Sequence, residues 1–227
     1  MKACDDAVLL RRCITSVARA NGLDATFMSV PFAGQSGSGM HIHASLTDDT
    51  GNVFDPAHAD ADAKLSAAIA GLQEIHAEGM AIFAPNLNVY RRYVADNFTP
   101  VTTHWGDNNR SVAFRIPSGP SSARRIEHRA AGAEANPYLV MAAVLAGMHH
   151  GLTNRLDAGK RSTGNVGAEV DADLPLTLWR ALEATRNAAI LPGYLGKDYC
   201  RIYADVKQAE FAAFMETTSR QEYDWYL

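Results

Sequence analysis

Residues 124–152 read RRIEHRAAGAEANPYLVMAAVLAGMHHGL, and the change of pattern inside this stretch decides the fold class. The opening RRIEHR is strand-like, and if it is extended Arg125, Glu127 and Arg129 project to one side. Asn136-Pro137 then forms an N-cap and first-turn pair, and PYLVMAAVLAGMHHGL continues as a long apolar helix. A charged strand followed at once by an apolar helix predicts an α+β fold.

The same two periods recur on either side. SVAFRIP (111–117) is a second strand-like run, and MHIHASL (40–46) a third, with His41, His43 and Ser45 on one face and Met40, Ile42, Ala44 and Leu46 on the other. ATFMSV (25–30) also has strand composition, and TDDTGN (47–52) is a turn. Leu10, Ile14, Val17 and Ala18 mark a helix over 4–20 that stops at Asn21-Gly22. Leu65, Ile69, Leu72 and Ile75 mark another over 60–78 that ends near Gly79, and further helices are expected over about 176–189 and 205–216. Helices stand at both ends with strands between them, and no repeat or linker interrupts them, so one domain over 1–227 is expected. Met28, Met40 and Met141 read as core.

With 227 residues, 47% of them hydrophobic, the chain can bury a real core. Its formal net charge of −4 gives no overall field that would gather polyanions, so affinity for phosphate must be local. That opposes a nucleic-acid module, even though Arg110, Arg115, Arg124, Arg125 and Arg129 crowd into residues 110–129. Cys4, Cys13 and Cys200 are too scattered for a disulfide framework and read as reduced, mostly buried thiols. No secretory h-region and no membrane-length apolar run is present, so a cytoplasmic protein that does not enter a membrane is expected.

Two constellations could carry chemistry. Glu127 between permanent cations stays ionised and could serve as a hard-metal ligand, leaving the arginines to grip other anions. The alternative is an exposed strand with weak charge pairs. His41 and His43 follow the glycine-rich GQSGSG (34–39), where bare backbone lets a ligand approach, and two imidazoles on one face suit a cation or a phosphate oxygen. The glycine run has neither P-loop nor dinucleotide-fingerprint spacing and could be a simple loop. His149 and His150 read as packing or helix-surface residues. Together these features suggest an arginine-rich anion site with a cation held by His and Glu, which fits phosphoryl transfer.

Four stretches go beyond composition: GSGMHIHASL (37–46), APNLNVYRRYV (84–94), NRSVAFRIP (109–117) and ARRIEHRAAGAEANPYL (123–139). In this order they closely resemble the glutamine synthetase family, ATP-dependent ligases that join glutamate to ammonia or, in a glutamate–polyamine/amine branch, to a larger amine. The resemblance implies an antiparallel-sheet catalytic domain flanked by helices. It implies His41 and Glu127 as metal ligands for Mg²⁺ or Mn²⁺, and His43, Arg115 and Arg125 as contacts to the phosphates of ATP. Gly37, Arg92, Arg110 and Arg129 fall on substrate-binding positions, and Arg110 and Arg129 also on catalytic ones. A homo-oligomer with sites between subunits is implied for the full enzyme.

The sequence departs from the family pattern at two places. Phe98 stands where ammonia-using members carry a flap glutamate that deprotonates ammonium, so the amine is expected to be bulkier, such as a polyamine. The chain is also about half the usual family length, and the N-terminal β-grasp domain with its acidic E-x-E strand is expected to be lacking. Little or no ligase activity is therefore expected from this chain alone. A non-catalytic relative with a structural or regulatory role is the alternative reading.

Overall fold

A computed structural model describes residues 1–227. Its centre is a four-stranded sheet of β1 (Ile42–Ala44), β4 (Trp105–Asp107), β5 (Phe114–Ile116) and β6 (Ile126–His128), in the order β1-β6-β5-β4. β1 and β5 both pair antiparallel to β6, while β4 runs parallel to β5, so the sheet is mixed. A two-stranded hairpin, β2 (Thr47–Asp48) and β3 (Gly51–Asn52), forms where the turn was expected.

Register sorts the two faces. Ile42 pairs with His128, His128 with Phe114 and Phe114 with Trp105, and this row faces the core. One residue along, His43, Glu127, Arg115 and Gly106 form the next row across all four strands, on the opposite face. The polar chemistry thus lies on the side of the sheet turned away from the helices.

The helices begin with α1 (Lys2–Ala20), α2 (Ala61–Glu74), α3 (His76–Phe83) and α4 (Leu87–Tyr90). They continue with α5 (Pro137–Asn154), α6 (Leu178–Arg186), α7 (Leu191–Leu195), α8 (Lys197–Met215) and α9 (Arg220–Tyr226). The Asn136 side chain accepts from the Tyr138 amide, which is the expected cap of α5. α2 and α5 pack through glycines, with Leu65, Ile69, Leu72, Val140, Val144 and Met148 buried around the contact. Glu78 of α3 accepts the amides of Ala189, Ile190 and Leu191, which ties the start of α7 to the core. No helix is long and apolar enough to cross a membrane.

Several expectations are corrected. Residues 25–30 form no strand, because side chains satisfy their backbone: Ser29 N donates to Glu134, and Val30 exchanges two hydrogen bonds with the Asn88 amide. Met28 there is exposed rather than core. The helix expected over 60–78 breaks at Ile75 and resumes as α3, which runs past Gly79 to Phe83. Gly79 is no stop signal, since the Phe83 ring lies where its Cβ would be, 2.7 Å from Cε2. β4 and α4 carry no periodic signal and were not expected. Cys4 and Cys200 are buried and Cys13 is exposed.

Candidate active site

Glu127 is the centre of the site. It is 2% exposed, at the middle of β6, and both of its oxygens are engaged. Oε2 accepts from Arg115 Nη1 at 2.6 Å, and Oε1 accepts from Arg129 Nη1. His41 Nδ1 stands 3.2 Å from the same Oε1. The two cations on Glu127 are therefore Arg129, which follows β6 directly, and Arg115 of β5. Arg125, expected beside Glu127, instead donates from Nε to His43 Nδ1 at 3.1 Å. His41, His43, Arg115, Arg125, Glu127 and Arg129 are thus brought together from three strands.

Burial, then the charge of Arg129, push the His41 pKa down to about 4, with Glu127 opposing. The His43 pKa is lowered too, chiefly by burial and further by Arg125 and Arg115, again with Glu127 opposing. Both imidazoles are neutral at pH 7, the form that offers a lone pair to a cation. Burial by itself would raise the Glu127 pKa, but hydrogen bonds from Arg115 and Arg129 and their charges hold it below the ordinary value. With one carboxylate against the guanidinium groups of Arg115, Arg125 and Arg129, the site carries excess positive charge and attracts anions.

The residues fit a divalent cation in part. A neutral imidazole and a carboxylate at 3.2 Å offer suitable donors. No group of three His, Cys, Asp or Glu side chains gathers anywhere in the chain, so substrate oxygens and water would make up the rest of the coordination.

The remaining candidates sit around this centre. Arg92 is buried and donates from Nη1 to the Ala130 and Ala131 carbonyls, at 3.3 and 3.1 Å. The glycine segment crosses directly over it: a Cβ at Gly39 would lie 2.4 Å from Arg92 Nη2, and one at Gly37 would lie 3.1 Å from its Cγ. At Gly39 the missing Cβ leaves the room that the Arg92 guanidinium occupies, whereas a Cβ at Gly37 would lie 2.9 Å from the Ser29 carbonyl oxygen, a backbone atom that cannot swing aside. Arg110 joins the cluster only through its backbone, whose carbonyl accepts from Arg129 Nη2 at 3.0 Å. Its side chain is exposed and lines a cavity of about 760 Å³ together with Phe98, Asn108 and the 161–165 segment.

Asn108 is a site residue that sequence reasoning missed. Its Oδ1 accepts from Arg115 Nη2 at 2.6 Å, and its φ of 47° places it in the left-handed region. An Asn pair after a Gly-Asp is the one available signal, because Asn tolerates that conformation. The 161–165 wall of the cavity was missed as well, and composition gives no cue to it.

The family profile described as "Glutamine synthetase, catalytic domain" matches residues 1–226. The chain belongs to the glutamine synthetase family. Over its whole length it is 39% identical to gamma-glutamylputrescine synthetase PuuA of Escherichia coli K12, covering 48% of that protein. It is 33% identical, again over its whole length, to a glutamate–isopropylamine ligase of a Pseudomonas species, covering 51% of it. A solved GmaS/ADP complex superposes with a TM-score of 0.85 at 31% identity, across 98% of this chain and 54% of that one. The chain therefore spans about half the length of the glutamine synthetase relatives it matches. The α+β architecture expected from the sequence is the one this chain shares with that GmaS structure.

Proposed function

We propose that this chain forms the phosphoryl-transfer part of an ATP-dependent ligase that joins the γ-carboxylate of glutamate to an amine larger than ammonia. The row His43, Glu127 and Arg115, flanked by His41, Arg125 and Arg129, carries this reading, because it concentrates anion-holding groups around one carboxylate. In the first step a γ-carboxylate oxygen attacks the γ-phosphorus of ATP and the bond to the ADP oxygen breaks, leaving γ-glutamyl phosphate. In the second, the amine lone pair attacks the acyl carbon, phosphate departs with the C–O electrons, and loss of a proton leaves the amide.

Arg115, Arg125 and His43 would hold nucleotide phosphates, while Arg110 and Arg129 would steady the transferred phosphoryl group. Gly37 borders glutamate, and Arg92 acts through the loop it supports, since its Nη1 is committed to backbone carbonyls. When bound, Mg²⁺ or Mn²⁺ at His41 and Glu127 supplies neutralisation of phosphate charge. Phe98 cannot accept a proton from ammonium, but it offers an apolar, cation-π wall to an alkylamine. Two relatives, a gamma-glutamylputrescine synthetase and a glutamate–isopropylamine ligase, support that choice. Assembly of the whole enzyme as a homo-oligomer belongs to the same reading.

Calorimetric titration of ADP with Mg²⁺ into the chain tests it. Binding is expected, and Arg115→Ala should weaken it at least about tenfold, the scale of a charge-assisted hydrogen bond. No ADP binding by the wild type would overturn the ligase reading. With only two protein donors at the cation, phosphate release from glutamate, ATP and alkylamine by this chain alone should stay near background, and rapid turnover would refute that expectation.

A further inference from the structure

Two hydrogen bonds hold the Arg115 guanidinium. Its Nη1 donates to Glu127 Oε2 at 2.6 Å and its Nη2 donates to Asn108 Oδ1 at 2.6 Å, while its Nε is buried with no partner. A guanidinium on a single hydrogen bond can pivot about it, whereas contacts at both ends of the fork fix its plane. Glu127 cannot supply the second point. Its other oxygen accepts from Arg129 Nη1 and stands 3.2 Å from His41 Nδ1. Asn108 therefore decides how the Arg115 guanidinium is turned, and as a neutral acceptor it leaves the charge of Arg115 in place.

The backbone explains why residue 108 can reach that position. Asn108 follows β4 directly, and its amide donates to the Ile116 carbonyl at 2.8 Å, which anchors it to the strand that carries Arg115. Its φ of 47° then turns the chain out of the strand, a conformation that asparagine adopts more readily than most side chains. Behind the turn, residues 161–162 lie against β4. The Ser162 amide donates to the Trp105 carbonyl at 2.8 Å, and a Cβ at Gly106 would lie 2.6 Å from the Ser162 carbonyl oxygen. Arg161 reaches Asp107 with Nη1 at 2.9 Å and places its Cζ 5.2 Å from the centroid of the Trp105 ring. That exposed ion pair adds little stability by itself, but together with the backbone contacts it leaves the Asn108 turn little room to shift.

We infer that Asn108 is a positioning residue for the nucleotide: it fixes the plane of the Arg115 guanidinium, so that the N–H groups not spent on Glu127 and Asn108 meet a phosphate in one orientation. Each Nη carries two protons and one on each is already engaged, so the other two remain for an anion. A donor oriented before its ligand arrives loses less freedom on binding. This role rests on the ligase reading, in which Arg115 holds nucleotide phosphates, and deepens it by naming what aims that arginine.

The test is a double-mutant cycle read by calorimetric titration of ADP with Mg²⁺ into the chain. Asn108→Gly places there a residue that adopts a φ of 47° without strain, and it removes the side-chain acceptor. It should weaken ADP about fivefold, the scale of one hydrogen bond. In the Arg115→Ala background the same change should have no further effect, because no guanidinium remains to be oriented. A purely structural role for Asn108 would weaken ADP equally in both backgrounds. Equal losses, or no loss in the wild-type background, would overturn the assignment and leave the ligase reading standing. Absence of ADP binding by the wild type removes both.

Discussion

Replacing Glu127 with alanine is expected to lower the free energy of unfolding by about 3 kcal/mol, measured by urea denaturation, because it strands the buried Arg129 guanidinium and the half-buried Arg115 one. Arg129 is 5% exposed and Arg115 is only partly exposed, and each directs Nη1 at this one carboxylate. Glu127→Gln retains acceptor oxygen and should lose less. The triple change Glu127→Leu, Arg115→Met, Arg129→Met should recover much of the stability, since removing a whole buried ionic group is often neutral. It should also abolish ADP binding, which separates the site's binding role from its part in the fold. An unchanged urea midpoint for Glu127→Ala would show that the guanidinium groups find other partners.

The same carboxylate sets a pH dependence. Its folded pKa lies below the unfolded value, so its contribution is complete above about pH 4.3 and is lost as pH falls through the folded value. Acid unfolding of the wild type should therefore steepen below about pH 4. Glu127→Gln should be less stable at neutral pH but flatter in that acid range.

How far the sequence was legible follows from how local each cause is. The alternation in MHIHASL and RRIEHR placed His41, His43, Glu127 and Arg129 on polar faces, because a pleated strand enforces a period of two whatever its partner. It could not say that β1 and β5 both pair with β6, so Arg115 rather than Arg125 was free to become the second cation on Glu127. The strand expected at 25–30 failed for the same reason: its backbone partners, Asn88 and Glu134, lie 58 and 105 residues away. Arg92 and Arg110 resembled each other as arginines beside motifs, yet one is buried under glycines and the other opens into a cavity. That difference depends on which segment passes overhead, which no local pattern records.

Glycine in α5 gives the second large effect, and it too was invisible as a local signal. Gly151→Ala would ordinarily favour a helix by about 1 kcal/mol. Here the added Cβ would lie 1.8 Å from the Ala67 carbonyl oxygen and 2.7 Å from the Gly71 amide nitrogen, both backbone atoms of α2. No rotamer change can relieve a clash with backbone, so the two helices must move apart. That loosens the packing of Leu65, Ile69 and Leu72, each 0% exposed, against Val140, Val144 and Met148. The expected result is a net loss of about 3 kcal/mol or more, at the upper end of overpacking costs, seen as a lower urea midpoint or insoluble expression. Gly193→Ala in α7 is the matched control, because nothing lies within 4 Å of its added Cβ. It should keep or slightly raise the midpoint through helix propensity alone. If both variants behave alike, the α2–α5 contact is looser than backbone against backbone, and the sheet's polar row would rest on a less rigid support than these helices provide.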